Sequence, residues 1–188
     1  GFFGETYNRR TYKEMGIDIE FVQDNHSISR ESGTLRGLHF QAPPNAQAKL
    51  VRCGRGSIFD VAVDIRRGSP TYGKWEGYQL TAENGYQLFV PVGFAHGYIT
   101  LKPNSEIVYK CSNYYAPESE GIILWSDPEI SIHWPATTTP ILSDLYVVKA
   151  PKTFTDNTTA GDKIKFYIDQ LPRWSDNTYK DITDIGLT

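Results

Sequence analysis

Hydrophobic and polar positions alternate most clearly through Ser57, Ile58, Phe59, Asp60, Val61, Ala62, Val63, Asp64 and Ile65. Phe59, Val61, Val63 and Ile65 fall on one face, and Ile58, Asp60, Ala62 and Asp64 on the other. A period of two is the signature of a strand. The uniformly large apolar face is expected to pack in the core. The other carries two carboxylates about 13 Å apart by strand rise. They are read either as inward polar groups or as ion-pair partners of Arg52 or Arg66. Further short runs read as strands at 49–53, 77–80, 86–91, 97–101, 107–111 and 121–125. Turn chemistry separates them: Gly54-Arg55-Gly56, Arg67-Gly68-Ser69-Pro70, Glu83-Asn84-Gly85, Lys102-Pro103-Asn104 and Pro117-Glu118. Signals recurring every 8 to 15 residues predict an antiparallel sandwich or barrel rather than alternating strand and helix. One short helix is predicted at 9–15, ended by Gly16.

Composition narrows the class. With 188 residues, the chain is long enough for one domain with a sizeable core. Aromatic residues reach 13%, with 12 Tyr, 16 Gly and 11 Pro, which suits strands joined by tight turns. A net charge of −3 gives no sign of nucleic-acid binding. Cys53 and Cys111 are too few for a disulfide scaffold. No apolar run approaches the roughly 18 residues of a membrane span, and no signal-like stretch follows Gly1. The expectation is a soluble, cytoplasmic protein. Character changes along the chain: 1–144 keep the strand rhythm, whereas 145–188 hold clusters of Thr, Asp and Lys and predict a divergent C-terminal extension with one short helix.

Two motifs carry chemistry. Gly85, five residues, then Pro91, Gly93 and His96 resembles the second motif of the cupin jelly roll. Gly33, five residues, then His39 resembles the first, but the second metal-binding His is replaced by Gln41 and no Glu follows. A transition-metal site usually needs three or more such ligands. The fold expected is therefore a mostly β, cupin-type jelly-roll sandwich or barrel with short helices and without metal. His39 is then available to carry protons. His26 and His133 carry no usable signal.

Six ordered runs sharpen the resemblance. They are Phe21 to Ser27, Leu35-Arg36-Gly37-Leu38-His39-Phe40-Gln41, Ala46-Gln47-Ala48-Lys49-Leu50-Val51, Phe59 to Arg66, Pro91-Val92-Gly93-Phe94-Ala95-His96-Gly97, and Tyr109-Lys110 before Asn113-Tyr114-Tyr115. Together they resemble the dTDP-4-dehydrorhamnose 3,5-epimerase family, over 1–144. The resemblance implies a cofactor-free isomerase acting on a dTDP-linked 4-keto-6-deoxy sugar, as a homodimer. The C4 ketone acidifies the protons at C3 and C5, so epimerisation needs a base, an acid on the opposite face and a cation for the enolate oxygen. By motif, the base is His39, the proton donor Tyr109 and the cation Lys49. Arg36 matches a diphosphate contact, a role suited to a guanidinium fork. Gln23, Asn25, Gln47, Tyr115, His96 and Glu5 match sugar- and nucleotide-binding positions.

The chain departs from the family at both ends. The family orients its catalytic His with an aspartate in a Leu-Ser-x-Lys-Asp segment; here the segment reads Leu142-Ser143-Asp144-Leu145-Tyr146, with Tyr at the aspartate position. A missing carboxylate would weaken control of the tautomer. Before Gly1, the family has roughly one more strand pair, which is expected to be absent. The other readings are a 3-epimerase, a keto-sugar 3,4-isomerase and a non-catalytic sugar-nucleotide-binding cupin.

Overall fold

A computed structural model describes residues 1, 3–135 and 139–142. The segments 136–138 and 143–188 lie outside the described residues, and with them the expected extension, Ser143, Asp144, Leu145 and Tyr146.

Helix α1 (Arg9–Glu14) is capped by Asn8, whose side chain accepts from the backbone N–H groups of Arg10 and Thr11. Gly16 stops it in the left-handed region, at φ +93°. Ten strands follow: β1 (Gln23–Ser29), β2 (Thr34–Gln41), β3 (Lys49–Arg55), β4 (Ser57–Asp64), β5 (Trp75–Thr81), β6 (Gln87–Val90), β7 (Phe94–Thr100), β8 (Ser105–Cys111), β9 (Glu120–Ile122) and β10 (Ile141–Leu142). A short 3-10 turn, Pro117–Ser119, precedes β9. One sheet has the order β1-β8-β3-β6, and the other β10-β2-β7-β4-β5, with β9 added on β2. Pairing is antiparallel except between β10 and β2. This is the antiparallel sandwich expected from the turn rhythm, and the jelly roll implied by the cupin-like motifs.

The core extends the expectation for β4: both of its faces are buried. Ile58 and Ala62 join Val51, Cys53, Leu80, Val90 and Ile107 between the sheets. Val61, Val63 and Ile65 form a second cluster with Leu38, Phe40, Ala95, Ile123 and Ile130, flanked by Trp75 and Trp134. The segment after β9 therefore supplies an outer layer that the alternation could not reveal. The carboxylate face is the inner one. Asp60 and Asp64 are 0% and 1% exposed. Asp64 pairs with Arg66 at 2.8 Å and accepts from Ser69 and Thr71, while Asp60 lies against His96. Each of the two readings offered for these aspartates thus fits one of them.

Strands β1 and β2 are absent from the pattern-based expectation. In β1, Gln-Asp-Asn-His-Ser-Ile-Ser has almost no apolar face. Its inward positions, Gln23, Asn25 and Ser27, line a polar cavity rather than a core. The run expected at 121–125 pairs only as Glu120–Ile122.

Candidate active site

A cavity of about 250 Å³ opens at one end of the sandwich. Alternate residues of β1 enter it, as the period of two requires. From β2 come Arg36 and His39, from β3 Lys49, from β7 His96 and from β8 Tyr109. Gln47, Tyr115 and Glu120 complete its rim.

Arg36 and His39 are three apart, so in a regular strand they would face opposite sides. The register of β2 against β7 shifts between these two residues, which turns both inward. Gly37 makes the shift feasible: its φ is +122°, and a Cβ would fall against the backbone of Gly97 and His96. Arg36 Nε is buried and has no hydrogen-bond partner among the described residues. A buried donor in this state is completed by an acceptor ligand, and an anion serves best.

The chemistry of the three central groups follows from burial. Desolvation, followed by the electrostatic influence of Lys49, His96 and Arg36, lowers the His39 pKa from 6.5 to about 4. At neutral pH the imidazole is uncharged and can accept a proton. Burial lowers the Lys49 pKa from its usual 10.5, against the opposing influence of Cys111, Asp60 and Glu120. Burial raises Tyr109 above the usual 10.0, partly offset by Asn25, which keeps the phenol protonated and able to donate. The Lys49 ammonium lies 6.0 Å from the centre of the Tyr109 ring.

Hydrogen bonds fix the walls. Gln23 Nε2 donates to Asn25 Oδ1 at 3.0 Å, and Gln23 Oε1 accepts from the Tyr115 backbone N–H at 3.1 Å. Gln47 Nε2 donates to the carbonyl of Asn113 at 2.6 Å. His96 Nε2 meets Asp60 Oδ1 at 2.8 Å, both side chains being buried. His96 is opposite His39 in the β2–β7 ladder. Gln41 does not hold a ligand. Its amide donates to the carbonyls of Asn45 and Tyr114 and accepts from the Ala116 backbone N–H, so it pins the loop that carries Tyr115. No group of three His, Cys, Asp or Glu placed to hold a metal occurs among the described residues.

Thus nine of the ten candidate residues converge on one cavity. The exception is Glu5, which is exposed and accepts from the Asn8 side chain beside α1. The motifs do not point to Glu120. Its Oε1 lies 3.4 Å from His39 Nδ1, and its Oε2 accepts from the Tyr115 hydroxyl at 3.0 Å. Nothing in the run Pro117-Glu118-Ser119-Glu120 marks it as special; only the pairing of β9 with β2 sets Glu120 opposite Gln41.

Comparison with known proteins adds a family to this geometry. The family model for dTDP-4-dehydrorhamnose 3,5-epimerase matches residues 1–146. The chain is 57% identical over 144 residues to the enzyme of that name from Salmonella typhimurium, covering 76% of this chain and 78% of the relative. The Escherichia coli counterpart is 51% identical over 144 residues, covering 76% and 77%. Among solved structures, the Bacillus anthracis epimerase with TDP and pyrophosphate bound is 50% identical, with a TM-score of 0.75, covering 77% of this chain and 82% of that one. The Legionella pneumophila epimerase in complex with dTDP-4-keto-L-rhamnose is 40% identical, with a TM-score of 0.75, covering 93% and 87%. The chain therefore belongs to the dTDP-4-dehydrorhamnose 3,5-epimerase family.

Proposed function

We propose that the protein converts dTDP-4-dehydro-6-deoxy-D-glucose to dTDP-4-dehydro-L-rhamnose by inverting C3 and C5. The observation that carries the reading is the convergence of His39, Lys49 and Tyr109 on one cavity whose wall also holds Arg36. Neutral His39 takes a proton from the carbon next to the C4 ketone. The electron pair left behind moves into the carbonyl, and the enolate oxygen is stabilised by the Lys49 ammonium. Tyr109 returns a proton to the opposite face of the same carbon. Exchange with solvent takes the proton from the imidazolium and reprotonates the phenolate, and the cycle repeats at the other carbon. Arg36 binds the diphosphate, and its buried Nε gains the acceptor it otherwise lacks. Gln23, Asn25, Gln47, His96 and Tyr115 hold sugar and base.

The cycle needs no redox or metal cofactor, because only protons move. The protein is proposed to act as a homodimer in the cytoplasm. The edge of β1, unpaired among the described residues and with Val22 and Ile28 exposed along it, supports a second copy docking there. Glu5 remains a proposed substrate contact, and residues 145–188 a separate extension. No described helix is long and apolar enough to cross a membrane. The test is to incubate the protein with the 4-keto sugar nucleotide and assign the product by NMR. Inversion at both carbons is expected. Inversion at C3 alone, or a ketone moved to C3, would replace the reading with one of its two enzymatic rivals. Binding of dTDP with no turnover would leave only the binding module.

A further inference from the structure

We propose that Tyr98 is a further binding residue for the sugar nucleotide: its buried phenol donates a hydrogen bond to the diphosphate that Arg36 receives. The inference deepens the epimerase reading and rests on it for the identity of the ligand.

The backbone brings the two side chains together. In the ladder of β2 and β7, His39 lies opposite His96, and Arg36 lies opposite Tyr98. Three residues of β2 therefore span the step that two residues of β7 span. Without that shift Gly37, not Arg36, would face Tyr98. Directly opposite residues have Cβ atoms about 4.5–5.5 Å apart, and here both side chains line the cavity. Ser27 of β1 faces them from the other sheet, with its Oγ 3.2 Å from the Tyr98 hydroxyl. The Tyr98 ring is fixed in the core, 5% exposed and clustered with Val51, Ile58 and Ile107. Little freedom is lost when the tip of such a side chain binds a ligand.

This corner of the cavity is rich in donors and short of acceptors. Tyr98 and Ser27 carry two hydroxyl protons, and the bond they share uses one. Neither hydroxyl has another partner among the described residues. Their bond is also long, since O–H···O pairs usually close to about 2.7–2.8 Å, so it is readily exchanged for a better acceptor. Arg36 Nε is buried and has no partner among the described residues. Asp60 flanks Tyr98 from β4, but its Oδ1 is engaged with His96, and it is not among the residues lining the cavity. Glu120 does line the cavity, but it lies opposite Gln41, beyond His39 from Arg36. The corner thus combines a guanidinium with a spare O–H. A sugar hydroxyl would satisfy the phenol and leave the guanidinium without a counter-charge, whereas a phosphate oxyanion completes both. Burial pushes the Tyr98 pKa up to about 12, so the phenol keeps the proton it donates.

The test is dTDP binding to the full chain by titration calorimetry at pH 7, which needs no turnover. Tyr98→Phe removes one oxygen and keeps the ring. It should weaken dTDP about tenfold, the scale of a hydrogen bond to a charged group. Thymidine, which has no phosphate, should bind both proteins alike. With the 4-keto sugar nucleotide the variant should raise KM by a similar factor and leave kcat within about twofold, as expected for a contact made equally in ground and transition states. A second reading does not depend on how the variant folds: with 3-fluorotyrosine incorporated in place of Tyr98, the 19F signal should move on adding dTDP and stay in place with thymidine. Equal dTDP affinity in wild type and variant overturns the proposal. So does equal weakening of thymidine, weakening seen only with the sugar nucleotide, a lower kcat at unchanged KM, or a 19F signal that ignores dTDP. A wild-type protein that binds dTDP through Tyr98 but does not epimerise would remove the epimerase reading and keep this contact; one that does not bind dTDP would remove both.

Discussion

His39 is placed to act as a base over a wide pH range because burial, and after it the neighbouring Lys49, His96 and Arg36, oppose its protonation. With its pKa at about 4 rather than 6.5, the imidazole stays neutral through pH 5 and 6. The acid limb of kcat/KM is therefore expected near pH 4 and not near 6.5. The alkaline limb should fall below 10.5, where Lys49, depressed by burial, loses the charge proposed to stabilise the enolate. A pH–rate profile of the free enzyme reads both limbs. The same shift affects folding. The unfolded chain takes up a proton at 6.5 that the folded protein refuses until about 4. Stability is therefore complete above pH 6.5 and declines as pH falls toward 4, by about 3 kcal/mol from this residue. Urea titrations of wild type and His39→Gln between pH 7 and pH 4 should show a shallower pH dependence in the variant.

At the scale of elements, β2 does most to organise the site, and Gln41 is its anchor to the loop at 114–116. The side chain makes three hydrogen bonds to backbone groups of two segments. Gln41→Leu would leave the Ala116 N–H and the Tyr114 carbonyl without this partner. The expected cost is on the order of 1–3 kcal/mol, together with lower kcat as Tyr115 and Glu120 shift. A denaturant midpoint and steady-state rates measure the two effects. Gly121 on β9 tests the same region differently. A Cβ there would press on the Phe40 ring. Gly121→Ala should cost about 1–3 kcal/mol by overpacking and displace Glu120 from His39. A melting temperature equal to that of wild type would argue against this packing. These elements also mark what the sequence reveals. β4 and β7 are legible because apolar periodicity and the Pro91–Gly93 turn both speak for them. β1 is not, because its inward face serves a cavity and therefore reads as polar. Glu120 is invisible for a related reason: its importance comes from a ladder between distant segments, not from its neighbours in sequence.

Over the whole molecule, the site sits between two sheets whose strands are buried mainly by aliphatic side chains, so a polar cavity is carried on a rigid frame. Two resemblance-based expectations, the jelly roll and the gathering of His39, Lys49, Tyr109 and Arg36, correspond to the observed geometry. The aspartate position of the family, Tyr146 here, is outside the described residues; among the described residues, the carboxylate beside His39 is Glu120. Since Gln41 is engaged with backbone, prolonged dialysis against a chelator is expected to leave the epimerisation rate unchanged. The central claim is that His39 removes protons from both carbons flanking the C4 ketone. Its most direct test is turnover of the 4-keto sugar nucleotide in deuterium oxide, followed by mass and NMR assignment of the product. Deuterium at C3 and at C5 with wild type, and at neither carbon with His39→Gln, is the result expected. No incorporation by the wild-type protein, or undiminished incorporation by the variant, would contradict it.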